Sequence, residues 1–283
     1  KKRPALAKAN EISGPIKEKI RDLKRENARL SLELEIFDEF FPEYKNMREH
    51  ILDTETVLEE TSEDGDKIDQ ARKYLTPNEY NTLNEEQRNQ LALDNYINRN
   101  HSPQEIGRFY ERYIGFKYEI EGWKVEFKGI IDGLEDLGRD LICKKGSKVL
   151  IIQAKNWSLK KTIHEKHIYQ LFATKTHFCL ENNLSNKNVK AIFTTPTPLS
   201  EMAKKVAKYL KVEILNIPLS KEYPMIKCNF NPQNNTKIYH LPFDQQYDKI
   251  AVGDQKGEQY VKSVQEAEDL GFRRAFRWKG RHT

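Results

Sequence analysis

Hydrophobic positions near the start of the chain follow a heptad pattern. Between residues 16 and 41 they step alternately by three and four, and one core position is polar, Asn27. The others are Ile20, Leu23, Leu30, Leu34, Phe37 and Phe41. This spacing is typical of a coiled coil, and a polar core residue fixes register in parallel dimers. The alternative is one amphipathic helix packed on its own domain. We therefore expect residues 1–75 to be helical and to assemble a homodimer or higher oligomer.

Helical and strand patterns alternate between residues 76 and 222. Thr76 followed by Pro77 is a typical helix start, so a helix is predicted over 77–99. Further helices are predicted at 103–122, 164–183 and 199–211. Strands are predicted at 123–129, 189–195 and 212–217, with two more inside 139–157. The order predicts an α/β fold in which helices flank a sheet.

The segment 139-RDLICKKGSKVLIIQAKNW-157 combines two apolar strands with a polar end. A hairpin turn centred between Gly146 and Ser147 places Asp140 directly opposite Gln153. Lys155 projects from the same face, because side chains two residues apart on a strand share a face. Three polar groups are therefore expected to converge at the open end of an otherwise apolar hairpin.

These three groups suit one kind of chemistry. Carboxylate and amide oxygens are ligands for Mg²⁺, which takes few protein ligands and keeps several waters. A neighbouring lysine can orient the attacking water and stabilise charge on a phosphate. Phosphodiester hydrolysis is thus the predicted reaction class. The alternative is a surface ion pair between Asp140 and Lys155, with Gln153 at its rim.

The same residues resemble the PD-(D/E)xK restriction-endonuclease-like superfamily, and the Gln-x-Lys form resembles its Mrr-like nucleases. Matching segments occur in order along residues 104–217. They are 110-YERYIG-115, 138-GRDL-141, Gln153-Ala154-Lys155, 168-IYQL-171 and 192-IFTTPTPLSEMAKKVA-207. The resemblance implies a restriction-endonuclease-like core of residues 76–222, with a mixed sheet flanked by helices.

The resemblance also implies function and residue roles. It implies a DNA endonuclease dependent on Mg²⁺ or Mn²⁺, acting in defence against foreign DNA or in DNA processing. Asp140 and Gln153 would hold the metal, and Lys155 would serve the attacking water. Glu111 would reach the metal directly or through water, while Gln170 would orient the lysine or touch the DNA backbone.

Two departures from the family pattern leave alternatives open. Gln153 replaces an acidic ligand, so metal binding should be weaker, and a catalytically weak or inactive DNA-binding or scaffolding protein is the rival function. RNA is a further possible substrate. The residues before Asp140 make Asp132, Glu135 and Asp136 either auxiliary carboxylates or plain loop residues. His164 and His167 have a zinc-compatible spacing, but phosphate contact or an ordinary surface is favoured without further ligands.

The segment 236–283 carries the pattern IYHLP…Y…GE.YV.S..EAE..GFR. It resembles a small module of bacterial nucleases, and also a zinc-binding repair-protein domain without its cysteines, so a small α+β accessory module is expected over 228–283. No cysteine lies between Thr236 and Thr283, so the module is expected to fold without metal. Its predicted core is Ile238, Tyr239, Leu241, Tyr247, Tyr260, Val264, Ala267 and Phe272. The DNA contacts predicted from basic and aromatic residues are Arg273, Arg274, Arg277 and Trp278, together with Arg139. A solvated basic tail is the alternative.

The composition restricts the possible partners and location of the protein but does not identify a function. The net charge of +5 in 283 residues favours anionic partners only mildly. Three scattered cysteines argue against a disulfide framework and a structural zinc site, so a reducing, cytoplasmic location is expected. No apolar run approaches the length of a membrane helix, and no membrane contact is predicted.

Overall fold

The computed structural model describes residues 18–27, 29–30, 69–132, 139–157, 159–231, 235–253 and 255–275. The chain divides into two compact units, Lys1–Glu55 and Thr56–Thr283. In the first unit, residues 18–27 and 29–30 are helical. Three predicted coiled-coil positions in this helix, Ile20, Leu23 and Leu30, are each about half exposed. The later positions Leu34, Phe37 and Phe41 lie outside the described residues.

The described part of the second unit starts with a 3₁₀ turn, Gln70–Tyr74, and two helices, α1 (Pro77–Thr82) and α2 (Glu85–Asn98). The single helix predicted over 77–99 is therefore wrong. Thr76 caps α1 as predicted, in a reciprocal pair of hydrogen bonds with Glu79. A second cap breaks the helix, because the Asn84 side chain accepts a hydrogen bond from the Gln87 amide.

A five-stranded sheet forms the centre of the next region, in the strand order β1-β2-β3-β4-β5. Its strands are β1 (Lys124–Phe127), β2 (Leu141–Lys145), β3 (Lys148–Ala154), β4 (Val189–Thr194) and β5 (Glu213–Leu215). β1 to β3 pair antiparallel, whereas β3 to β5 pair parallel. The sheet is therefore mixed, as the family resemblance implied.

Helices cover both faces of this sheet. α3 (Pro103–Ile120) packs Tyr110 and Ile114 against one face. The short α4 (Lys128–Asp132) follows β1, so the strand predicted over 123–129 ends at Phe127 and its last two residues are helical instead. α5 (Glu165–Glu181) and α6 (Glu201–Leu210) cover the other face with Ile168, Leu171 and Val206 among others. The two apolar layers fix the orientation of the hairpin between them.

A second sheet, ordered β8-β6-β7-β9, forms the C-terminal part. Its elements are β6 (Ile226–Phe230), β7 (Lys237–His240), β8 (Gln259–Val261), β9 (Arg273–Arg274), α7 (Val264–Asp269) and a 3₁₀ turn, Tyr247–Lys249. β6 begins two residues before the predicted start of the module, in a stretch where no strand was predicted. Seven of the eight predicted core residues are buried, and Tyr260 is partly exposed.

Two further findings concern the described residues as a whole. Leu93 of α2 packs in the core of the second sheet. A helix of the predicted nuclease region therefore contributes to the hydrophobic core of the C-terminal module. Within the described part of the chain, no helix is both long enough and apolar enough to cross a membrane.

Candidate active site

The polar end of the β2–β3 hairpin has the predicted register. Leu141 pairs with Ile152 and Lys145 with Lys148, around a turn at Gly146 with a φ of 58°. Continuing this register places Asp140 opposite Gln153. The Asp140 amide donates to the Ile152 carbonyl at 3.0 Å, and its Oδ2 accepts from the Ala154 amide at 2.5 Å. Asp140 is thus held to the backbone on both sides of Gln153.

A second carboxylate, that of Glu111, lies close to Asp140, and Gly129 is next to both of them. A Cβ atom placed on Gly129 would lie 3.0 Å from Glu111 Oε2 and 3.2 Å from Asp140 Oδ1. The two carboxylate oxygens are therefore within about 6 Å of each other. The Gly129 amide also donates to the Asp140 carbonyl at 3.0 Å. Only a residue without a side chain leaves this space open, so Gly129 belongs to the site although no sequence motif singled it out.

Gln153 contributes an acceptor that the protein leaves unused. Its side chain is buried at 3% exposure on β3, between the apolar layers. Among the described residues, no hydrogen-bond donor contacts its Oε1. A buried amide oxygen without a partner costs free energy, typically about 1–3 kcal/mol. Such an atom beside Asp140 points to a ligand at this position.

Lys155 is held by the end of the sheet and by an aromatic ring. Its amide donates to the Thr194 carbonyl at 2.9 Å, and its ammonium lies 4.8 Å from the centre of the Trp157 ring. The Trp157 backbone is fixed in turn by the Thr197 hydroxyl, which bonds both its amide and its carbonyl. No sequence motif singled out Trp157, which lies two residues beyond Lys155.

Trp157 also contacts a buried histidine. The His167 ring meets the Trp157 ring edge-on at 5.2 Å between centroids. Burial, followed by the positive charge of Lys155, lowers the pKa of His167 to about 3. The imidazole is therefore neutral near pH 7 and adds no positive charge beside Lys155. The exposed His164, by contrast, precedes α5 without a side-chain cap bond.

Other predicted site residues lie apart from this cluster. Gln170 is exposed on α5. Arg139 packs over Phe178 and lies 3.7 Å from Glu181, so its guanidinium is largely buried. The side chain of Asp132, and Glu135 and Asp136, lie outside what the structure describes.

The structure corrects the expectation that Arg274 contacts DNA. Its side chain is 1% exposed and lies 2.9 Å from Asp69 and 2.6 Å from Asp244, inside the C-terminal part. It also donates to the Asn89 side chain at 2.8 Å. Arg274 is thus a buried structural residue. The neighbouring Arg273 is partly exposed, whereas Arg277 and Trp278 lie outside the described residues.

The donor set fits a hard divalent cation. Glu111 and Asp140 supply carboxylate oxygens, and Gln153 supplies a buried amide oxygen. Within the described ranges no three His, Cys, Asp or Glu side chains form a metal cluster, so the described carboxylates at this site are those of Glu111 and Asp140. A site with so few charges is better suited to an ion that keeps water or phosphate oxygens.

Comparison with known protein families bears on the class of this domain. The mixed sheet with helices on both faces is compatible with a restriction-endonuclease-like fold. Residues 105–218 match the family model Mrr_cat, which describes a restriction endonuclease. This match confirms the predicted resemblance of the segment to Mrr-like restriction endonucleases. The match spans every residue of the cluster described above. No curated protein and no solved structure matches the chain.

Proposed function

We propose that the protein is a divalent-metal-dependent DNA endonuclease that hydrolyses phosphodiester bonds at the open end of the β2–β3 hairpin. The observation that carries the proposal is the buried, unpartnered Oε1 of Gln153 between two backbone contacts of Asp140. A structural glutamine in a sheet would be bonded to a neighbour. An acceptor left open beside a carboxylate is what a cation site requires.

The proposed roles follow from the chemistry of each side chain. Asp140 and Gln153 would hold Mg²⁺ or Mn²⁺, which would supply a Lewis acid for the phosphate. Glu111 would join them directly or through water. Lys155 would orient the attacking water and stabilise negative charge on the phosphate, with its ammonium placed by the Trp157 ring.

A basic surface next to the site supports a nucleic-acid substrate. We define it by Lys155, Lys160, Lys161 and Lys166. Two of these, Lys155 and Lys161, have ammonium groups within 4.8 Å and 5.5 Å of the centre of the same Trp157 ring. Their positive charges are thus concentrated where a phosphate backbone would leave the hairpin.

The exposed apolar face at residues 20, 23 and 30 supports dimerisation. A coiled coil through this face would pair two catalytic domains, and cutting both strands of a duplex needs two such sites. Sedimentation of the whole chain should give a dimer or larger assembly, and Leu23→Arg should give a monomer. A wild-type monomer would contradict the assembly proposal.

Cleavage of supercoiled plasmid tests the proposed activity. The protein and its Lys155→Ala variant are incubated with Mg²⁺, with Mn²⁺ or with chelator. Lys148→Ala is the matched control, because Lys148 is an exposed lysine at the opposite end of the same strand. We expect metal-dependent nicking or linearisation that Lys155→Ala loses and Lys148→Ala keeps. Equal cutting by all three proteins would remove Lys155 from the mechanism.

The second candidate is a DNA-binding or scaffolding protein on the same fold, and Gln153 in place of an acidic ligand favours it. Binding of duplex DNA without any cleavage by a folded protein would support this candidate. Competition between matched DNA and RNA duplexes distinguishes the two substrates. We extend the proposal to defence against foreign DNA or DNA processing on the strength of the family match alone.

A further inference from the structure

A buried ion pair joins the C-terminal part to the helix that carries Glu111. The next residue of α3, Arg112, donates from Nε to Asp248 Oδ1 at 2.8 Å and from Nη2 to Asp248 Oδ2 at 2.6 Å. Its Nη1 donates to the Tyr96 hydroxyl at 2.9 Å. The two charged side chains are 11% and 16% exposed. This two-pronged geometry fixes both the distance and the angle of the contact.

The same turn of the C-terminal part touches the second carrier of the site. The 3₁₀ turn Tyr247–Lys249 packs against α4, which holds Gly129, and against β1. Asp248 lies in this turn. The turn Tyr247–Lys249 therefore supports two parts of the site. It holds Glu111 through α3, and it packs against the helix that carries Gly129.

A second buried contact strengthens this connection. Lys227 of β6 lies 4.6 Å from the centre of the Phe127 ring on β1, and its ammonium is 3.9 Å from Glu119 on α3. The Tyr260 hydroxyl donates to Glu119 as well. The C-terminal part is thus attached along the length of α3 by charged groups that are removed from solvent. Breaking such a contact is costly, because it leaves a buried charge without its partner.

We infer that Asp248 is a positioning residue of the active site, acting through Arg112 on the placement of Glu111 and Gly129. This inference rests on the proposed nuclease function. It gives the 3₁₀ turn Tyr247–Lys249, rather than the C-terminal part as a whole, a role in positioning the site. A displacement of about 1 Å in a catalytic group can reduce the rate about a hundredfold. We expect loss of the pair to lower kcat at least about tenfold while KM for DNA stays unchanged.

The test compares Asp248→Asn and Arg112→Lys with a control that is matched in chemistry. Arg112→Lys keeps the charge but cannot make the two-pronged contact, and it decides the question if Asp248→Asn does not fold. Asp244→Asn is the control, since Asp244 pairs with buried Arg274 at the same 2.6 Å in the same part of the protein. Plasmid cleavage is measured over a range of DNA concentrations, together with the unfolding temperature.

The outcomes separate positioning from stability. The inference predicts a lower kcat for Arg112→Lys and Asp248→Asn, with near-normal kcat for Asp244→Asn at a comparable loss of unfolding temperature. A wild-type kcat in either test variant, or an equal loss in the control, overturns it. Failure of the wild-type protein to cut DNA overturns the proposed function and this inference together.

Discussion

Replacing Gly129 with alanine tests the crowded geometry between the two carboxylates. The added Cβ would lie 3.0 Å from Glu111 Oε2 and 3.2 Å from both the Cα and Oδ1 of Asp140. Ordinary contacts of a Cβ start near 3.4 Å, so these neighbours must retreat by a few tenths of an ångström. The Asp140 backbone cannot move freely, because it is bonded to Ile152 and to Gly129 itself. Glu111 or α4 must therefore shift.

The expected effects on stability and on activity differ in size. Alanine is favoured over glycine in a helix by about 0.5–1 kcal/mol, whereas overpacking costs about 1–3 kcal/mol. The free energy of unfolding should therefore fall by no more than about 2.5 kcal/mol. A shift of catalytic oxygens by a few tenths of an ångström should lower kcat about two- to tenfold, since a displacement of about 1 Å costs about a hundredfold. Activity should thus fall while the protein remains folded.

Gly107→Ala is the matched control for this experiment. Gly107 is also helical, on α3, and its added Cβ would meet no atom within 4 Å. We expect this variant to be as active as wild type and about 0.5–1 kcal/mol more stable. Chemical unfolding and plasmid cleavage are measured for both variants. Wild-type activity of Gly129→Ala would refute the reasoning that Glu111 and Asp140 must meet at this point.

Three further predictions concern other parts of the account. Gln153→Glu should lower the unfolding temperature in chelator, because it buries a carboxylate, and Mn²⁺ should raise that temperature more than in wild type. No extra rise would argue against metal at Gln153. The double variant Lys160→Ala, Lys161→Ala should reduce the slope of log DNA affinity against log salt concentration by about one to two, because two phosphate contacts are lost. Lys205→Ala, on α6, should leave this slope unchanged. Burial lowers the pKa of His240 from 6.5 to about 4, so the unfolded chain binds a proton that the folded chain refuses. Stability should therefore fall as pH decreases from about 6.5 to 4, and His240→Asn should reduce that fall in urea unfolding.

The hairpin could be predicted because local chemistry determines its register. Gly146 marks the turn, and the apolar strands on either side leave one pairing that buries them on both faces. Asp140 and Gln153 then meet by geometry alone. Gly129 and Trp157 could not be found in this way. Gly129 matters because Glu111, on a distant helix, lies next to it in the folded protein. Trp157 matters because its ring contacts the Lys155 ammonium only after folding.

Two of the errors have a common physical origin in long-range charge pairs. Arg274 lies in a basic segment that suggests exposure, but Asp69 and Asp244, distant in sequence, bury it. Lys227 interrupts the apolar pattern of β6, so no strand was predicted there. Its charge is accommodated by Glu119, more than a hundred residues earlier. Neither partner is visible in a local sequence pattern.

Uptake of a divalent ion shows whether Asp140 and Gln153 form a metal site at the hairpin. Mn²⁺ is titrated by calorimetry into wild type and Asp140→Asn, each alone and with a bound duplex that has non-hydrolysable linkages. We expect Mn²⁺ uptake by wild type that strengthens with DNA, since phosphate oxygens would complete the site formed by Glu111, Asp140 and Gln153, and little uptake by Asp140→Asn. Equal uptake by both proteins, or none by wild type even on DNA, would contradict a metal-dependent site at Asp140 and Gln153.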